Sequence, residues 1–191
     1  MAALKLDPRA SALVLIDLQH GVSGLPLAPY SGAEVVERCA RLAETFRAKG
    51  ALVAYVRVEI SDMVHLPTDA PTRDPNASPP PAIASQIIPE SGIQPGDLLI
   101  TKRQWGAFYE TGLDQQLRRR GIDSIVLGGI ATNFGVESTA RAGLDMGYQL
   151  VFVEDAMTSL STEAHQFAIQ HIFPRMGRVR QSADIVAAFA N

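Results

Sequence analysis

The most informative segment of the chain is SIVLGGIATNFGVESTA, residues 124–140. It begins with the apolar residues of a buried strand, passes through two glycines and a turn, and then takes on the period of a helix. Such strand–turn–helix junctions are where α/β enzymes place reactive side chains. The residue at the helix entrance is Gly135, which has no side chain. The segment therefore predicts either a reaction without a covalent nucleophile or no reaction at all.

The remainder of the chain repeats this alternation of apolar strands and helices. Strands are predicted at residues 12–16, 52–56, 97–102, 123–127 and 149–153, with a short one at 178–180. Helices are predicted at residues 33–49, 111–120, 133–146 and 162–173, and from 182 onward. Continuous apolar strands between helices that end at glycine are typical of a parallel sheet covered on both faces.

Length and composition restrict the class of protein. The 191 residues predict a single domain, residues 1–191, and the net charge of −3 argues against binding to nucleic acid or anionic lipid. One cysteine cannot form an internal disulfide. No apolar run is long enough to cross a membrane, and residues 1–10 lack the apolar core of a signal peptide. We therefore expect a cytoplasmic protein with no membrane or nucleic-acid partner.

Residues 59–92 interrupt the regular alternation. Seven of the chain's 12 prolines lie between Pro67 and Pro89, and the periodicity is weak. A loop of this length in a small domain usually has a function or is disordered. We expect it to cover the mouth of a site or to contact a partner subunit, and a plain surface loop is the alternative.

Two charged residues follow or end predicted strands. Ligands of open parallel sheets bind at the carboxyl ends of the strands, where Asp17 ends the first and Lys102 the third. Asp17 is a candidate general acid or base, since burial can raise the pKa of its carboxyl group. Lys102 is a candidate for orienting that carboxylate and stabilising negative charge. Their structural alternatives are a turn cap and a lysine that extends to the surface.

The turn before the fourth helix is a candidate ligand-binding element. It offers backbone N–H groups and the positive end of a helix dipole, and Gly135 would let a ligand approach the backbone closely. The alternative is that glycine only allows tight packing of helix on strand. The predicted substrate-binding residues are Gln19, Trp105, Phe108, Ala131, Asn133, Phe134 and Gly135, with core packing as the alternative for Trp105 and Phe108.

Other reactive residue types give weaker signals. Cys39 shares an apolar helical face with Val35, Leu42 and Phe46, so we expect a core residue and not a nucleophile. The histidines do not have the spacing of metal ligands, and no glycine-rich phosphate loop follows the first strand. We expect neither a metal nor a cofactor, and a nucleotide-binding module is disfavoured.

Taken together, these segments resemble the isochorismatase-like hydrolase superfamily over nearly the whole chain. The resemblance is carried by LVLIDLQ at 13–19, TKRQWGAF at 101–108 and GID at 121–123, which leads into 128–140. It implies a three-layer α/β/α fold with a six-stranded, mostly parallel sheet, usually in homo-oligomers of two or more subunits. It also implies a non-proline cis peptide between Ile130 and Ala131.

The resemblance also implies roles for site residues. The amidohydrolases of the family use an Asp, a Lys and a Cys; Asp17 and Lys102 match the first two, and Gly135 occupies the position of the cysteine. Isochorismatases also carry glycine there, because their aspartate protonates a vinyl-ether carbon and no thiol is needed. They have tyrosine and arginine where this chain has Ala131 and Gln104, and the metal-binding residues of nicotinamidases are replaced by EISD at 59–62.

The resulting hypothesis is a thiol-independent hydrolase of a small, anionic organic substrate, acting by vinyl-ether hydrolysis or a related acid/base reaction. Asp17 and Lys102 would be its catalytic residues. The alternative is a catalytically silent homologue of the cysteine hydrolases that binds a small ligand or serves as an oligomeric scaffold.

Overall fold

A computed structural model of the chain describes residues 4–71, 74 and 77–189. Within these residues, six strands form one sheet in the order β3-β2-β1-β4-β5-β6, and every neighbouring pair is parallel. The predicted α/β fold class and the six-stranded sheet are therefore confirmed. The strands are β1 Ser11–Ile16, β2 Leu52–Val58, β3 Leu98–Lys102, β4 Ser124–Ile130, β5 Gln149–Thr158 and β6 Arg178–Arg180.

Helices cover both faces of this sheet, as the apolar strands predicted. They are α1 His20–Ser23, α2 Gly32–Ala48, α3 Leu113–Arg118, α4 Glu137–Asp145, α5 Thr162–Phe167, α6 Phe173–Met176 and α7 Ser182–Ala188. A π-helical turn, Thr132–Val136, precedes α4, and a second, Ala168–Ile172, joins α5 to α6. Of the described residues, no helix combines the length and the apolar character that crossing a bilayer requires.

The two faces of the sheet bury separate cores because side chains alternate along each strand. On β1, Leu13 and Leu15 pack with α2 and α7. The alternate residues of the strand, including Val14 and Ile16, pack on the opposite face with α3, α4 and α6. All six residues of β1 are buried. The ends of this central strand are consequently held from both sides.

The structure differs from the predicted elements at the end of β5. Strand β5 continues to Thr158, because its pairing with β4 resumes at Met157 and Thr158 after a register shift. Residues 59–92, for which no regular element was predicted, contain short 3₁₀ helices at Ile60–Asp62, Ala82–Ser85 and Pro89–Ser91. Part of this segment pairs with the chain that follows β1, since Ile87 forms an isolated antiparallel bridge with Gln19.

The carboxyl end of β4 lies unusually close to β1. Gly129 has φ +113°, and a Cβ atom on it would lie 2.1 Å from the backbone oxygen of Ile16. Residues other than glycine rarely adopt this conformation, and here the neighbouring backbone would also exclude a side chain. The glycine thus lets the turn that follows β4 begin directly beside the end of β1. The peptide bond between Ile130 and Ala131, next in the chain, is cis as the resemblance implied.

We predict that Gly129→Ala is much more destabilising than Gly96→Ala. The two glycines have nearly the same backbone conformation, with φ +113° and +109°, but Gly96 has no atom within 4 Å of an added Cβ. Both variants should suffer backbone strain of about 1–3 kcal/mol, and Gly129→Ala should lose about 2 kcal/mol more because of the clash with β1. Urea unfolding measures both losses. Equal losses would contradict the assigned close approach.

Candidate active site

The charged side chains of Asp17 and Lys102 meet at the carboxyl ends of the strands. Asp17 follows β1 and Lys102 ends β3, with β2 between them in the sheet. The Lys102 Nζ lies 2.8 Å from the Asp17 Oδ2, and these side chains are 1% and 9% exposed. Their expected convergence is confirmed. It follows from the parallel arrangement, in which the ends of β1, β2 and β3 reach the same edge.

The backbone around Asp17 turns the chain out of the sheet. Its φ is +52°, in the left-handed region, which aspartate tolerates better than most residues. Its backbone N–H still donates to the Val56 carbonyl of β2 at 2.8 Å. The carboxylate is therefore attached to a backbone that the sheet holds in place.

The ion pair has one unused acceptor. Lys102 Nζ donates to the Trp105 carbonyl at 2.6 Å as well as contacting Asp17 Oδ2. Asp17 Oδ1 is buried and has no hydrogen-bond partner among the described residues. The nearby Val58 amide donates instead to Gln19 Oε1 at 2.8 Å. Oδ1 is thus the carboxylate oxygen that carries no hydrogen bond.

Burial raises the pKa of Asp17 to about 6, although the Lys102 ammonium opposes the increase. Desolvation of the carboxylate is the larger effect because the pair lies under the surface. Near neutral pH the carboxyl group therefore exists in both protonation states. A group with such a pKa can exchange a proton with a bound molecule in either direction.

Gly135 faces the ion pair across a short gap. A Cβ atom on Gly135 would lie 3.0 Å from Lys102 Nζ, 3.2 Å from Asp17 Oδ2 and 2.9 Å from Ile16 Cγ2. A side chain here would therefore point at both charged groups. The position that the resemblance assigns to a cysteine is thus beside the ion pair, and in this chain it carries only a hydrogen atom. These contacts support tight packing, the structural interpretation of this glycine, and ligand access stays a prediction.

A cavity of about 150 Å³ opens above the ion pair. Of the predicted substrate-binding residues, Trp105, Ala131, Phe134 and Gly135 line it. The rings of Trp105 and Phe134 meet edge to face with centroids 4.9 Å apart. Trp105 is 47% exposed, so it forms a cavity wall and is not a core residue.

Three predicted substrate-binding residues do not line this cavity. Phe108 is buried, and its ring stacks on that of Tyr148 with centroids 5.7 Å apart. Core packing, the alternative interpretation of Phe108, is therefore correct. Asn133 accepts a hydrogen bond from Ser159, which ties the turn to the residue after β5. Gln19 is fully buried, and its amide nitrogen donates to the carbonyls of Val58 and Ala84, each at 3.0 Å. These side chains support the site from outside it.

Several cavity walls were not identified from the sequence. Met63, from the segment at 59–92, is one of them, in line with the expectation that this segment covers a site. Val22 belongs to the short helix α1, and the others come from the irregular chain after α1 and from the region after β5. They have no periodic pattern that could have indicated them. These additional walls are Val22, Leu25, Leu27, Met63 and Leu160.

A buried histidine supports the turn from behind. The Thr132 hydroxyl and His165 Nδ1 lie 2.8 Å apart, and His165 is 1% exposed. His165 Nε2 lies 3.6 Å from Glu154 Oε1, which accepts a hydrogen bond from the Tyr30 hydroxyl at 3.1 Å. His165 had been assigned no role from the sequence, because its partners come from distant parts of the chain.

The charges around the cavity disfavour the expected anionic substrate. Asp17 and Lys102 are the charged residues among those that line it, and they pair with each other. Gln104, at the position of an arginine in isochorismatases, donates to the carbonyls of Gly106 and Tyr109. The described part of the chain also contains no group of three or more His, Cys, Asp or Glu side chains that could hold a metal ion.

Fold and site together are those of an isochorismatase-like protein, and comparisons with known proteins agree. The family model "Isochorismatase domain" matches residues 11–184. The chain therefore belongs to the isochorismatase family of hydrolases.

Individual relatives extend the comparison. The chain is 43% identical over 189 residues to the isochorismatase family protein YwoC of Bacillus subtilis, with 97% of each chain covered. A solved structure of an isochorismatase family protein from Burkholderia thailandensis has a TM-score of 0.91 and 45% identity, and both chains are fully covered. The ureidoacrylate amidohydrolase RutB of Variovorax paradoxus is 39% identical over 106 residues, which are 55% of this chain and 42% of that protein.

We predict that Gln19→Leu lowers the free energy of unfolding by about 2–4 kcal/mol, because it leaves buried backbone groups of β2 and Ala84 without partners. Gln115→Leu, at an exposed position of α3, is the control and should change stability by less than about 0.5 kcal/mol. Chemical denaturation measures both. A loss of unfolding free energy no larger than that of the control would mean that Gln19 does not hold these backbone groups and is free to contact a ligand.

We predict that Gly135→Cys gains a thiol that iodoacetamide modifies at least about tenfold faster than Cys39. The new sulfur would lie beside the Lys102 ammonium, which favours the thiolate, and at the cavity. Cys39 is buried, donates to the Ala156 carbonyl at 3.4 Å and has a pKa raised by burial. Mass spectrometry of the variant and the parent gives both rates. Equal protection of both thiols would show that residue 135 does not face the cavity.

Proposed function

We propose that this chain is a hydrolase that works without a thiol and belongs to a branch of the family with glycine in place of the catalytic cysteine. The observation that carries the proposal is the buried Asp17–Lys102 pair, 2.8 Å apart, facing Gly135 at the base of a cavity. A carboxyl group is available there for proton transfer, and no side chain is present at residue 135 to form a covalent intermediate.

Hydrolysis of a vinyl ether fits these groups. Protonated Asp17 gives its proton to the terminal vinyl carbon, whose π electrons form the new C–H bond. A lone pair of the ether oxygen stabilises the other vinyl carbon as an oxocarbenium ion. Water adds to the carbon of this ion and returns one proton to the Asp17 carboxylate. The resulting hemiacetal or hemiketal breaks its bond to the leaving oxygen, giving a carbonyl compound and an alcohol. One water molecule is consumed, and Asp17 ends protonated as it began.

Lys102 and the turn assist the two charged stages of this reaction. When Asp17 loses its proton, the ammonium stabilises the carboxylate through the contact that it already makes. The turn at Thr132–Val136 presents first-turn amides near Gly135, where they would bind the leaving oxygen as it gains negative charge when the C–O bond of the hemiacetal or hemiketal breaks. Ala131, Phe134, Gly135 and Trp105 would contact the substrate.

A silent homologue is the second candidate, and the missing thiol is the observation that favours it. A buried ion pair is weak evidence for stability, because replacing it with apolar residues often costs nothing. A charge pair kept at the base of a cavity therefore favours catalysis. The two candidates make different predictions for turnover.

We also propose that the protein forms a homo-oligomer, a dimer or larger, in the cytoplasm. Val64 and Leu66, in the proline-rich segment, are 77% and 71% exposed. Exposed apolar residues of this kind are often covered by another subunit.

We predict that the purified protein hydrolyses at least one vinyl ether in a panel that also contains amides and carbamates. Because the reaction needs protonated Asp17, the rate should be constant below about pH 6 and fall tenfold for each pH unit above it. Asp17→Asn should lower turnover by at least about 100-fold. The rates are measured by chromatography of the products.

Asp145→Asn, an exposed carboxylate at the end of α4, is the matched control and should retain the parent activity. Full turnover by Asp17→Asn would refute the role of Asp17. Binding of panel members without any turnover would identify the protein as the silent homologue.

A further inference from the structure

The charged groups of the cavity neutralise each other. Asp17 and Lys102 carry opposite charges 2.8 Å apart, and both are nearly inaccessible to solvent. An anion could pair with Lys102 only in competition with this carboxylate, and a cation could pair with Asp17 only in competition with the ammonium. Transfer of an unpaired ion into such a site is unfavourable. While Asp17 is ionised, the ion pair therefore selects against ligands of either charge.

The polar groups next to the cavity are already engaged. The Gln104 amide nitrogen donates to Gly106 and Tyr109, and its oxygen accepts from the Arg103 backbone at 3.2 Å. The Arg103 guanidinium points elsewhere, since its Nε donates to Asp62 at 3.0 Å and its side chain is 58% exposed. No described residue in the lining thus offers a free cation to a carboxylate or phosphate.

The remaining walls are apolar and the volume is small. The cavity is lined by the edge-to-face pair of Trp105 and Phe134 together with Leu25, Leu27, Met63 and Leu160. An apolar cavity of about 150 Å³ is large enough to hold benzene. The cavity therefore suits a compact ring or branched alkyl group in van der Waals contact with these side chains.

We infer that this cavity takes a neutral molecule with an apolar body about the size of benzene and one hydrolysable polar group. The polar group lies against the Asp17 carboxyl group and the 132–136 turn, and the apolar body lies between the aromatic pair and the leucines. This inference rests on the proposed function insofar as it takes the same cavity as the substrate site. It replaces the anionic substrate that was expected from the sequence.

The test compares anisole with benzoate, two ligands of similar size that differ in charge and undergo no vinyl-ether hydrolysis. Dissociation constants are measured by ligand-observed NMR at pH 8, where Asp17 is ionised. We expect the parent protein to bind anisole at least tenfold more tightly than benzoate. Tighter binding of benzoate, or binding of neither ligand, would overturn the inference.

Leu160→Arg tests whether the cavity itself sets this preference. Leu160 lines the cavity and is 49% exposed, so an arginine can be accommodated there with its cation near the ligand. We expect the variant to bind benzoate at least tenfold more tightly than the parent does. Leu144→Arg adds the same charge on α4 at a position that is 41% exposed and outside the lining, and it should leave both constants unchanged. Equal effects of the two variants would overturn the inference.

These measurements separate the inference from the proposed function. Binding of anisole by a protein that hydrolyses nothing would support the substrate class and refute the hydrolase. Hydrolysis confined to anionic vinyl ethers would support the hydrolase and overturn the substrate class.

Discussion

The buried contact between the Asp17 carboxylate and the Lys102 ammonium is the interaction around which the site is organised. Each charge would be strongly unfavourable alone in this position, so each requires the other. The contact joins residues 85 positions apart in the chain, and it forms because β1 and β3 flank β2 and end at the same edge. Any change that shifts these strand ends would leave one buried charge unpaired.

The second constraint is the lack of space around this pair. Gly129 lets the end of β4 approach β1, and Gly135 leaves room for the two charged groups in front of the turn. His165 and Asn133 hold the same turn from behind through Thr132 and Ser159. A single packing arrangement therefore serves two purposes: it desolvates the carboxyl group, which raises its pKa, and it brings backbone amides near the place where a ligand would bind. The chemistry follows from packing as much as from residue type.

The apolar cavity changes the interpretation of the family resemblance. Gly135 matches the glycine that isochorismatases have at this position. Those enzymes also have a tyrosine and an arginine near the substrate, and this chain has Ala131 and Gln104 in their places. In this structure the Gln104 amide is engaged with backbone carbonyls, and leucines and aromatic rings fill the surroundings. The matching pair of Asp17 and Lys102 thus lies beneath a pocket of different polarity. Reaction type and substrate class are set by different residues, so one can persist while the other changes.

The sequence alone determined the order of the elements, the parallel sheet and the candidates Asp17, Lys102 and Gly135, because apolar strands between helices place all strand ends at one edge. Tertiary structure decided which nearby side chains reach the cavity. Gln19 and Phe108 lie within a few residues of Asp17 and Lys102, yet both are buried elsewhere, since neighbours in sequence need not face the same side. Leu25, Leu27 and Leu160 enter the wall from irregular segments. Periodicity is a local property, whereas the lining of a cavity depends on contacts between distant segments, which no local pattern encodes.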